Sequence, residues 1–409
     1  MPEPTPFRWR NVTPVQRRVL IAAALGWMLD SFDVLLYSIV LATLMQHFGM
    51  NKTMAGLLNA LTLIASAAGG LVFGFLADRT GRRRLLCVSI LVYAVFTFAC
   101  GFANSIAVLA IFRFLLGLGM GGEWNTGAAL LAESWPSAWR GRAFGIVQSS
   151  WAIGYALSAV AAGVILTHFS WRWVFFAGIL PALAVFWIRR HVPEPELWRR
   201  AQAESAANDA GDDWRRIAPS LIVLTLVNTF GMFAWWGLFT WIPAYLVLPA
   251  SEGGRSFTLF NLTGFLVVLN LAGMLPGYQL FGVFADKFGR RLTLVIYLLA
   301  AAAAVPFFAR SHRPALILLF ACICAFFGTG FFTGSGTIGS ELFPTRVRAT
   351  ALGISYNVAR GLSALAPLTI GYLAQQRGLS WAFGASAVAF AAAGLTGLFL
   401  PETRGAELA

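Results

Sequence analysis

Long apolar runs dominate this chain and limit it to a fold that crosses a membrane many times. A helix needs about 20 apolar residues to span the roughly 30 Å of hydrocarbon in a bilayer. Twelve such runs follow one another, near residues 19–46, 54–77, 85–104, 107–131, 142–167, 172–190, 218–247, 258–284, 292–309, 314–339, 349–375 and 380–400. We therefore predict an all-α membrane protein with twelve transmembrane helices.

The composition agrees with this class and argues against several others. Hydrophobic residues make up 58% of the 409 residues and charged residues only 11%, whereas about a quarter of a soluble domain is charged. The net charge of +13 does not indicate nucleic-acid binding, because the basic residues form short clusters between apolar runs. The four histidines and four cysteines show no metal-ligand spacing, so we expect no metal and no cofactor.

The distribution of lysine and arginine predicts the orientation in the membrane. If the N-terminus is cytoplasmic, the cytoplasmic segments hold 22 of the 30 basic residues, and the opposite loops hold six. Basic loops are enriched on the cytoplasmic side of a membrane. We therefore expect both termini to lie in the cytoplasm. We also expect the protein to be a monomer in a bacterial inner membrane.

The second half of the chain repeats the first at an offset of 208 residues. The segment GFLADRTGRRR at Gly74 returns as GVFADKFGRRL, and ESWPSAWRGRAFGI at Glu133 returns as ELFPTRVRATALGI. Trp27 and Trp235 differ by the same offset. Duplicated halves place a binding site at their interface near the membrane midplane. We divide the chain into an N-terminal six-helix half, a cytoplasmic linker and a C-terminal six-helix half, at residues 1–190, 191–217 and 218–409.

These motifs resemble the major facilitator superfamily. The repeated loop, the FRFLLGLGMGG stretch of span 4 and the closing PETRG all match patterns of that superfamily. LGWMLDSFD, GMGGEW, ESWP and the span 6 segment are similar to the sialate–proton symporter group, which includes lactate permeases. The Asp-x-x-Asp of span 1 is also similar to the aromatic-acid–proton symporters. The resemblance implies two pseudo-symmetric halves that transport by alternating access.

Two aspartates lie inside the first apolar run. Asp30 and Asp33 stand at i and i+3, so they share a helix face with Trp27 and Tyr37. A carboxylate at the bilayer centre costs about 3 kcal/mol, so both should face the interior of the bundle. Two close carboxylates in little water resist double ionisation, which makes either one a candidate proton carrier, with Asp33 slightly favoured. The alternative is a structural carboxylate bonded to a neighbouring helix.

Span 4 carries two more charges, Arg113 and Glu123. They are ten residues apart, about 15 Å along a helix, so they cannot easily pair with each other. Arg113 matches the superfamily motif, and we expect it to assist proton coupling through the aspartates of span 1. Glu123 is either a second proton carrier or a structural acceptor.

Arg360 lies in the middle of span 11 and is the favoured ligand for a substrate carboxylate. A buried guanidinium needs an anion, and its planar fork suits a carboxylate. The alternative is a permanent salt bridge between the halves. Polar and amphipathic residues of other spans are further candidate contacts in a central cavity: Asn357, Tyr356, Tyr37, Gln148, Tyr155, Asn228, Trp235, Trp124, Asn125, Trp151 and Trp236.

The charged residues of the cytoplasmic loops are candidates for a gate that holds that face closed. Carboxylates in such loops can meet cations and helix termini, although the charges also serve as topology determinants. The candidate gate residues are Asp78, Arg79, Arg82, Arg83, Asp286, Lys287, Arg290, Arg291, Glu133, Arg140, Glu341 and Arg348.

Buried charges of both signs predict a secondary active transporter that imports an organic anion with protons. The anion would be a monocarboxylate such as lactate, or a sialate-like or other sugar acid. The alternatives are an aromatic-acid–proton symporter, a proton-driven efflux antiporter and, more remotely, a membrane sensor without transport. The histidines and cysteines within the spans form no constellation that is typical of an enzyme.

Overall fold

The computed structural model describes residues 9–135, 137–193, 211–343 and 348–404, and the regular structure in these ranges is helical throughout. The first half forms α1 (Pro14–Phe48), α2 (Lys52–Thr80), α3 (Arg82–Cys100), α4 (Ile106–Ser134), α5 (Ser137–His168), α6 (Trp171–Phe176) and α7 (Pro181–His191). The second half forms α8 (Gly211–Val247), α9 (Leu259–Val268), α10 (Leu275–Phe288), α11 (Arg290–Arg310), α12 (Pro314–Leu342), α13 (Arg348–Ser363), α14 (Leu365–Arg377) and α15 (Leu379–Gly397).

The helices confirm the twelve predicted spans, and three spans are interrupted. A 3-10 turn at Ala177–Ile179 separates α6 from α7, and a π-helical turn at Leu269–Met274 separates α9 from α10. Eleven units are long and apolar enough to cross a membrane on their own. The remaining span is α13 with α14, which a break at Ala364 divides into pieces of 16 and 13 residues. Residues 194–210 of the predicted linker lie outside the described ranges.

Local sequence sets the ends of the first two helices. The backbone N–H of Gln16 donates to Thr13 Oγ1 at 3.2 Å, and the N–H of Thr13 donates to Gln16 Oε1 at 2.9 Å. This capping box satisfies two N–H groups at the start of α1. Gly49, at φ 63°, ends α1 in the left-handed region, and Asn51 caps α2 by accepting from Met54 N–H at 2.8 Å. The chain therefore reverses direction within three residues.

The sequence repeat reappears in the backbone. Gly81 joins α2 to α3 at φ 112° and ψ 143°, and Gly289, 208 residues later, joins α10 to α11 at φ 105° and ψ 151°. Side chains other than glycine rarely adopt this conformation. The duplicated loop motif thus specifies the same tight turn in both halves.

The glycines of FRFLLGLGMGG allow α4 to pack directly on the backbone of α2. A methyl group on Gly121 would lie 1.9 Å from the carbonyl oxygen of Ser66, and one on Gly117 would lie 2.3 Å from that of Thr62. Small residues permit such close approach of membrane helices. This packing makes the centre of the N-terminal half a tightly joined unit.

The two halves meet closely at the end of the bundle opposite the described start of α1 and end of α15, which we call the far end. There Gly56 of α2 faces the backbone of Pro367, and Gly371 of α14 faces the carbonyl of Lys52. Lys52 Nζ donates to the carbonyl oxygen of Glu252 at 2.9 Å. The far end is therefore closed by contacts between α2 and the C-terminal half.

We predict that Gly121→Ala will destabilise the protein by about 1–3 kcal/mol, because the added methyl overlaps backbone atoms that cannot move aside. Thermal unfolding in detergent measures the effect. Gly336→Ala on α12 is the matched control, since a methyl there meets nothing within 4 Å. Equal unfolding midpoints for the two variants would contradict this account of the motif.

Candidate substrate and proton site

A small closed cavity of about 20 Å³ lies between the halves, with room for about one water molecule. The N-terminal half contributes three of its lining residues and the C-terminal half six: Trp27, Gln148, Trp151, Trp235, Trp236, Tyr278, Phe332, Tyr356 and Arg360. Trp27 stands about halfway along α1, so the cavity lies near the middle of the bundle.

Aromatic side chains form most of the cavity wall. The ring centroids of Trp27 and Trp151 are 4.8 Å apart, and those of Trp151 and Trp235 are 6.0 Å apart across the interface. Trp124 packs behind the wall, 4.4 Å from Trp27 and 5.8 Å from Tyr356. The indole N–H groups of Trp27, Trp151 and Trp235 have no hydrogen-bond partner. A buried donor without a partner costs about 1–3 kcal/mol, so the wall favours a ligand with acceptor atoms.

Arg360 supplies the positive charge of the cavity. The side chain is 2% exposed, its Nη1 has no hydrogen-bond partner, and its guanidinium carbon lies 5.6 Å from the centre of the Tyr356 ring. Among the described residues, no carboxylate lies within 4 Å of this guanidinium. The arginine therefore keeps donors free for an anion that enters the cavity.

Asp30 and Glu123 lie close enough to Arg360, and to each other, to interact electrostatically. Both are 1% exposed, and each has one carboxylate oxygen without a hydrogen-bond partner. Glu123 reaches α1 because residue 26 is glycine: a methyl on Gly26 would lie 2.4 Å from Glu123 Oε1. Side chains of α1, α4 and α13 thus form one buried cluster of two acids and one base.

Asp33 lies on a different side of α1 from this cluster. A methyl group on Gly178, in the 3-10 turn of span 6, would lie 3.2 Å from Asp33 Oδ1 and 2.1 Å from Thr97 Cγ2 of α3. Both oxygens of Asp33 are buried without a hydrogen-bond partner. The carboxylate therefore faces the outer helices of the N-terminal half, and it does not line the cavity.

Arg113 contacts α1 through Tyr37. Its guanidinium carbon lies 3.9 Å from the centre of the Tyr37 ring, and Nη2 donates to Asn59 Oδ1 at 2.9 Å. Nε and Nη1 have no partner, and the side chain is fully buried. Within the described residues, Arg113 forms no ion pair with Asp30 or Asp33.

Four further candidates lie away from the cavity wall. Their polar groups bond elsewhere: Tyr37 OH donates to Ala55 O (2.8 Å), Tyr155 OH to Phe239 O (3.5 Å), Asn228 Nδ2 to Ser355 Oγ (3.0 Å) and Asn357 Nδ2 to Gly353 O (2.9 Å). Tyr356, Gln148 and Trp235 do line it. The side chain of Asn125 lies outside the described part of the structure.

Sequence reasoning missed Tyr278 and Phe332 as wall residues. Phe332 stands 208 residues after Trp124, so the repeat contained a signal that could have found it. The counterpart of Tyr278 is Gly70, which carries no such signal.

The described candidate gate residues of the C-terminal half make their bonds within that half. Arg290 donates to Asp286 and, at 3.2 Å, to Glu341 Oε1, while Thr403 Oγ1 donates to Glu341 Oε2. Arg291 Nη1 donates to Leu400 O at 3.3 Å. Arg83 bonds the carbonyl of Val192, and Lys287 lies over the ring of Phe288. The side chains of Asp78, Arg79, Glu133, Arg140 and Arg348 lie outside the described part, so a gate between the halves stays a prediction.

Glu402 caps the start of α11 from outside the membrane-spanning segments. It accepts from the backbone N–H of Arg290 at 2.8 Å and from that of Arg291 at 3.2 Å. Burial alone would raise the pKa of this carboxyl. The N–H donors outweigh burial and lower the pKa below its usual value.

A larger cavity, of about 840 Å³, lies elsewhere, among α8, α11, α14 and α15. Arg310 and Ser380 are the only polar residues of its lining, and Val388 and Trp381 in its wall are 70% and 50% exposed. A cleft with such an exposed apolar wall opens toward lipid, so we do not assign it to transport.

Comparison with known proteins identifies the family. The model of the Major Facilitator Superfamily matches residues 21–254 and 254–408. This chain belongs to the major facilitator superfamily. The membership confirms the resemblance carried by the loop motifs, and it makes the protein an integral membrane transporter, not an enzyme.

Individual relatives cover nearly the whole chain. A "Probable 4-methylmuconolactone transporter" of Cupriavidus pinatubonensis is 35% identical over 98% of this chain and 94% of its own length. A "Cis,cis-muconate transport protein" of Acinetobacter baylyi is 31% identical over 93% of both chains. "Sialic acid transporter NanX" of Escherichia coli is 29% identical over 94% of both chains. These relatives carry small organic acids and their derivatives.

Among solved structures, a D-xylose–proton symporter superposes with a TM-score of 0.77 at 18% identity, covering 97% of this chain and 100% of that one. At this identity the similarity supports the fold alone. It confirms the predicted arrangement of twelve helices in two halves.

We predict that Glu402→Gln will lower the unfolding midpoint at pH 7, because a carboxylate at an exposed helix N-terminus contributes about 0.3–1 kcal/mol. A carboxyl with a lowered pKa stabilises the fold above its unfolded pKa, near 4.3, and loses that effect as pH falls through its folded pKa. The difference between variant and wild type should therefore be constant above about pH 5 and decrease progressively as pH falls below about 4.3. A difference that persists unchanged at pH 3 would contradict the cap.

Proposed function

We propose that this transporter imports a flat, unsaturated or aromatic organic monoanion together with protons. The free donor of Arg360 inside a wall of tryptophan, tyrosine and phenylalanine supports this proposal most directly. A planar carboxylate can bond the guanidinium while its carbon skeleton stacks between the rings. The methylmuconolactone named for one relative is an unsaturated monocarboxylate, and the muconate named for another is flat and conjugated but has a second carboxylate.

A sugar acid is the second candidate, supported by the similarity to the sialic acid transporter. A sugar acid carries several hydroxyl groups that would each need a polar partner when buried. Gln148 is the one amide in the described wall, so the lining matches an aromatic or conjugated acid better.

The buried cluster suggests how protons accompany the substrate. Without substrate, Arg360 balances one carboxylate, so the cluster is neutral when either Asp30 or Glu123 carries a proton. When a substrate anion binds Arg360, protonation of the second acid restores neutrality. Uncompensated charge is costly in a membrane interior, so reorientation is favoured for these neutral states. The expected stoichiometry is one proton for each monoanion.

Asp30 is therefore the favoured proton carrier, with Glu123 as its partner. The sequence pattern slightly favoured Asp33, but Asp30 is the aspartate within electrostatic reach of Arg360. Asp33 lies beside Thr97 of α3 and Gly178 of span 6, and it does not line the cavity. A structural role in the N-terminal half suits that position.

We further infer that both termini face the cytoplasm of a bacterial cell and that the far end faces outward. The excess of basic residues, 22 against six, supports this orientation. The charged loops of the terminal end would then lie at the cytoplasmic surface of the inner membrane. Residues 1–190 and 218–409 would move as the two bodies of alternating access.

We predict that Arg360→Ala will reduce initial uptake in proteoliposomes at least 100-fold, because the substrate carboxylate loses the one cationic partner in the described cavity wall. The panel contains benzoate, cis,cis-muconate, lactate and sialate, each with and without an inward proton gradient. Arg310→Ala is the matched control, since this arginine is exposed and far from the central cavity. Uptake by Arg360→Ala at the wild-type rate, or no acid-stimulated uptake of any acid in the panel by the wild type, would overturn the anion assignment.

We predict that Asp30→Asn will abolish acid-driven accumulation while retaining exchange of substrate across the membrane. Removing the proton carrier uncouples the two fluxes but leaves the Arg360 ligand in place. Exchange of labelled against unlabelled substrate separates these processes, and Asp33→Asn is the comparison variant. If Asp33→Asn uncouples transport and Asp30→Asn does not, the assignment of the carrier is wrong.

A further inference from the structure

Three buried polar side chains form a continuous connection from the N-terminal to the C-terminal half, on the far-end side of the cavity. Arg113 Nη2 of α4 donates to Asn59 Oδ1 of α2 at 2.9 Å. Asn59 Nδ2 then donates to Thr240 Oγ1 of α8 at 3.1 Å. All three residues are at most 1% exposed.

The charge of Arg113 determines which end of the Asn59 amide faces the other half. A guanidinium only donates hydrogen bonds, so the amide must turn its oxygen toward Arg113. Its NH₂ group is thereby directed across the interface to Thr240, whose hydroxyl accepts. The contact between the halves is therefore oriented by a cation that lies wholly within the N-terminal half.

Arg113 also depends on this amide. Its Nε and Nη1 lack hydrogen-bond partners, and its other contact is the face of the Tyr37 ring. Both Arg113 and Asn59 belong to the N-terminal half, so their bond can persist when the halves separate. The bond that must break is the one from Asn59 to Thr240.

This bond differs from the polar contacts between the halves at the rim of the far end, and it lies beside a longer buried one, from Tyr155 OH to Phe239 O at 3.5 Å. Thr53 donates to Gln375 Oε1 at 2.8 Å, and Lys52 bonds a backbone carbonyl, but both contacts are exposed. Asn59 lies seven residues further along α2 than Lys52, about 10 Å deeper in the bundle. It is thus a deep, dry contact between the cavity and the closed far end.

We propose that Asn59 is a positioning residue that uses the charge of Arg113 to hold the far end closed through Thr240. Water can replace Thr240 as the partner of the amide once the far end opens, whereas Arg113 keeps its acceptor throughout. The inference rests on alternating access in the superfamily and on no assumption about substrate or protons.

Distance measurements on the full-length protein test this proposal. Spin labels on non-canonical residues at Phe102 and Phe260, which are 58% and 86% exposed at the far end of opposite halves, report its opening. Thr240→Val removes the acceptor and leaves Arg113 bonded to Asn59. We expect the ratio of open to closed far ends to rise by about 3- to 20-fold, the value of one buried interhelical hydrogen bond.

Asn59→Ala should shift the ratio in the same direction. The double variant with Asn59→Ala and Thr240→Val should shift it no further than the larger single change, because the two substitutions remove the same hydrogen bond. Asn59→Asp should keep the far end closed, since its carboxylate accepts from Arg113 and from a rotated Thr240 hydroxyl. Thr229→Val on α8 is the control, because that hydroxyl bonds only the Thr225 carbonyl of its own helix.

Three results would each overturn the proposal. They are unchanged distance distributions for Thr240→Val, additive effects in the double variant, and an equal shift for Thr229→Val. A lower melting temperature of Thr240→Val without a change in the distances would show a structural role only. None of these readouts uses substrate, so their failure is distinct from a failure of acid-driven uptake.

Discussion

Arg360 is buried and has no ion-pair partner among the described residues, and the central site depends on this constraint. A guanidinium inside a membrane bundle needs negative charge nearby, and the structure supplies it at a distance through Asp30 and Glu123. A direct bidentate salt bridge would occupy the two parallel N–H groups that suit a carboxylate, and the arginine would then bind a substrate less well. The fold holds the two acids near the arginine but not in contact with it. Their charge stabilises the buried guanidinium, and its donors stay available to a substrate.

The cavity combines a duplicated wall with unduplicated charges. Trp27 and Trp235, Trp124 and Phe332, and Gln148 and Tyr356 are pairs at the 208-residue offset, and all lie in or directly behind the wall. The buried ionisable residues have apolar counterparts: Leu238 for Asp30, Phe331 for Glu123 and Ala152 for Arg360. Gene duplication therefore accounts for the symmetry of the aromatic wall. The acids lie in one half and the base in the other, so the electrostatic field in the site is asymmetric. An anion between them is drawn toward the C-terminal half.

The sequence predicted the helices well and the contacts of their side chains less well. Apolar length alone located twelve spans, because the bilayer sets that length. The break at Ala364 and the π turn before α10 have no comparable signal, since both depend on packing between helices. Asp30 and Asp33 illustrate the limit: positions three residues apart share a face in projection, yet only about 60° of rotation directs one to Arg360 and the other to Thr97. Likewise, the motif identified Arg113 but not its acceptor, which comes from a helix 54 residues away in sequence.

The contacts within and between the halves differ in a way that suits a rocking motion. Inside the N-terminal half, Gly121 and Gly117 place α4 against the backbone of α2, and no water can enter such a contact. At the far end, Gly56 and Gly371 allow an equally close approach of α2 and α14, which belong to different halves. The polar groups beside them can exchange a protein partner for water at little cost. The exceptions are two buried bonds, from Tyr155 to Phe239 and from Asn59 to Thr240. Water must penetrate about 10 Å before it can replace the partner of Asn59 in the second bond. Opening of the far end should therefore begin at its exposed rim and be completed only when this buried bond breaks.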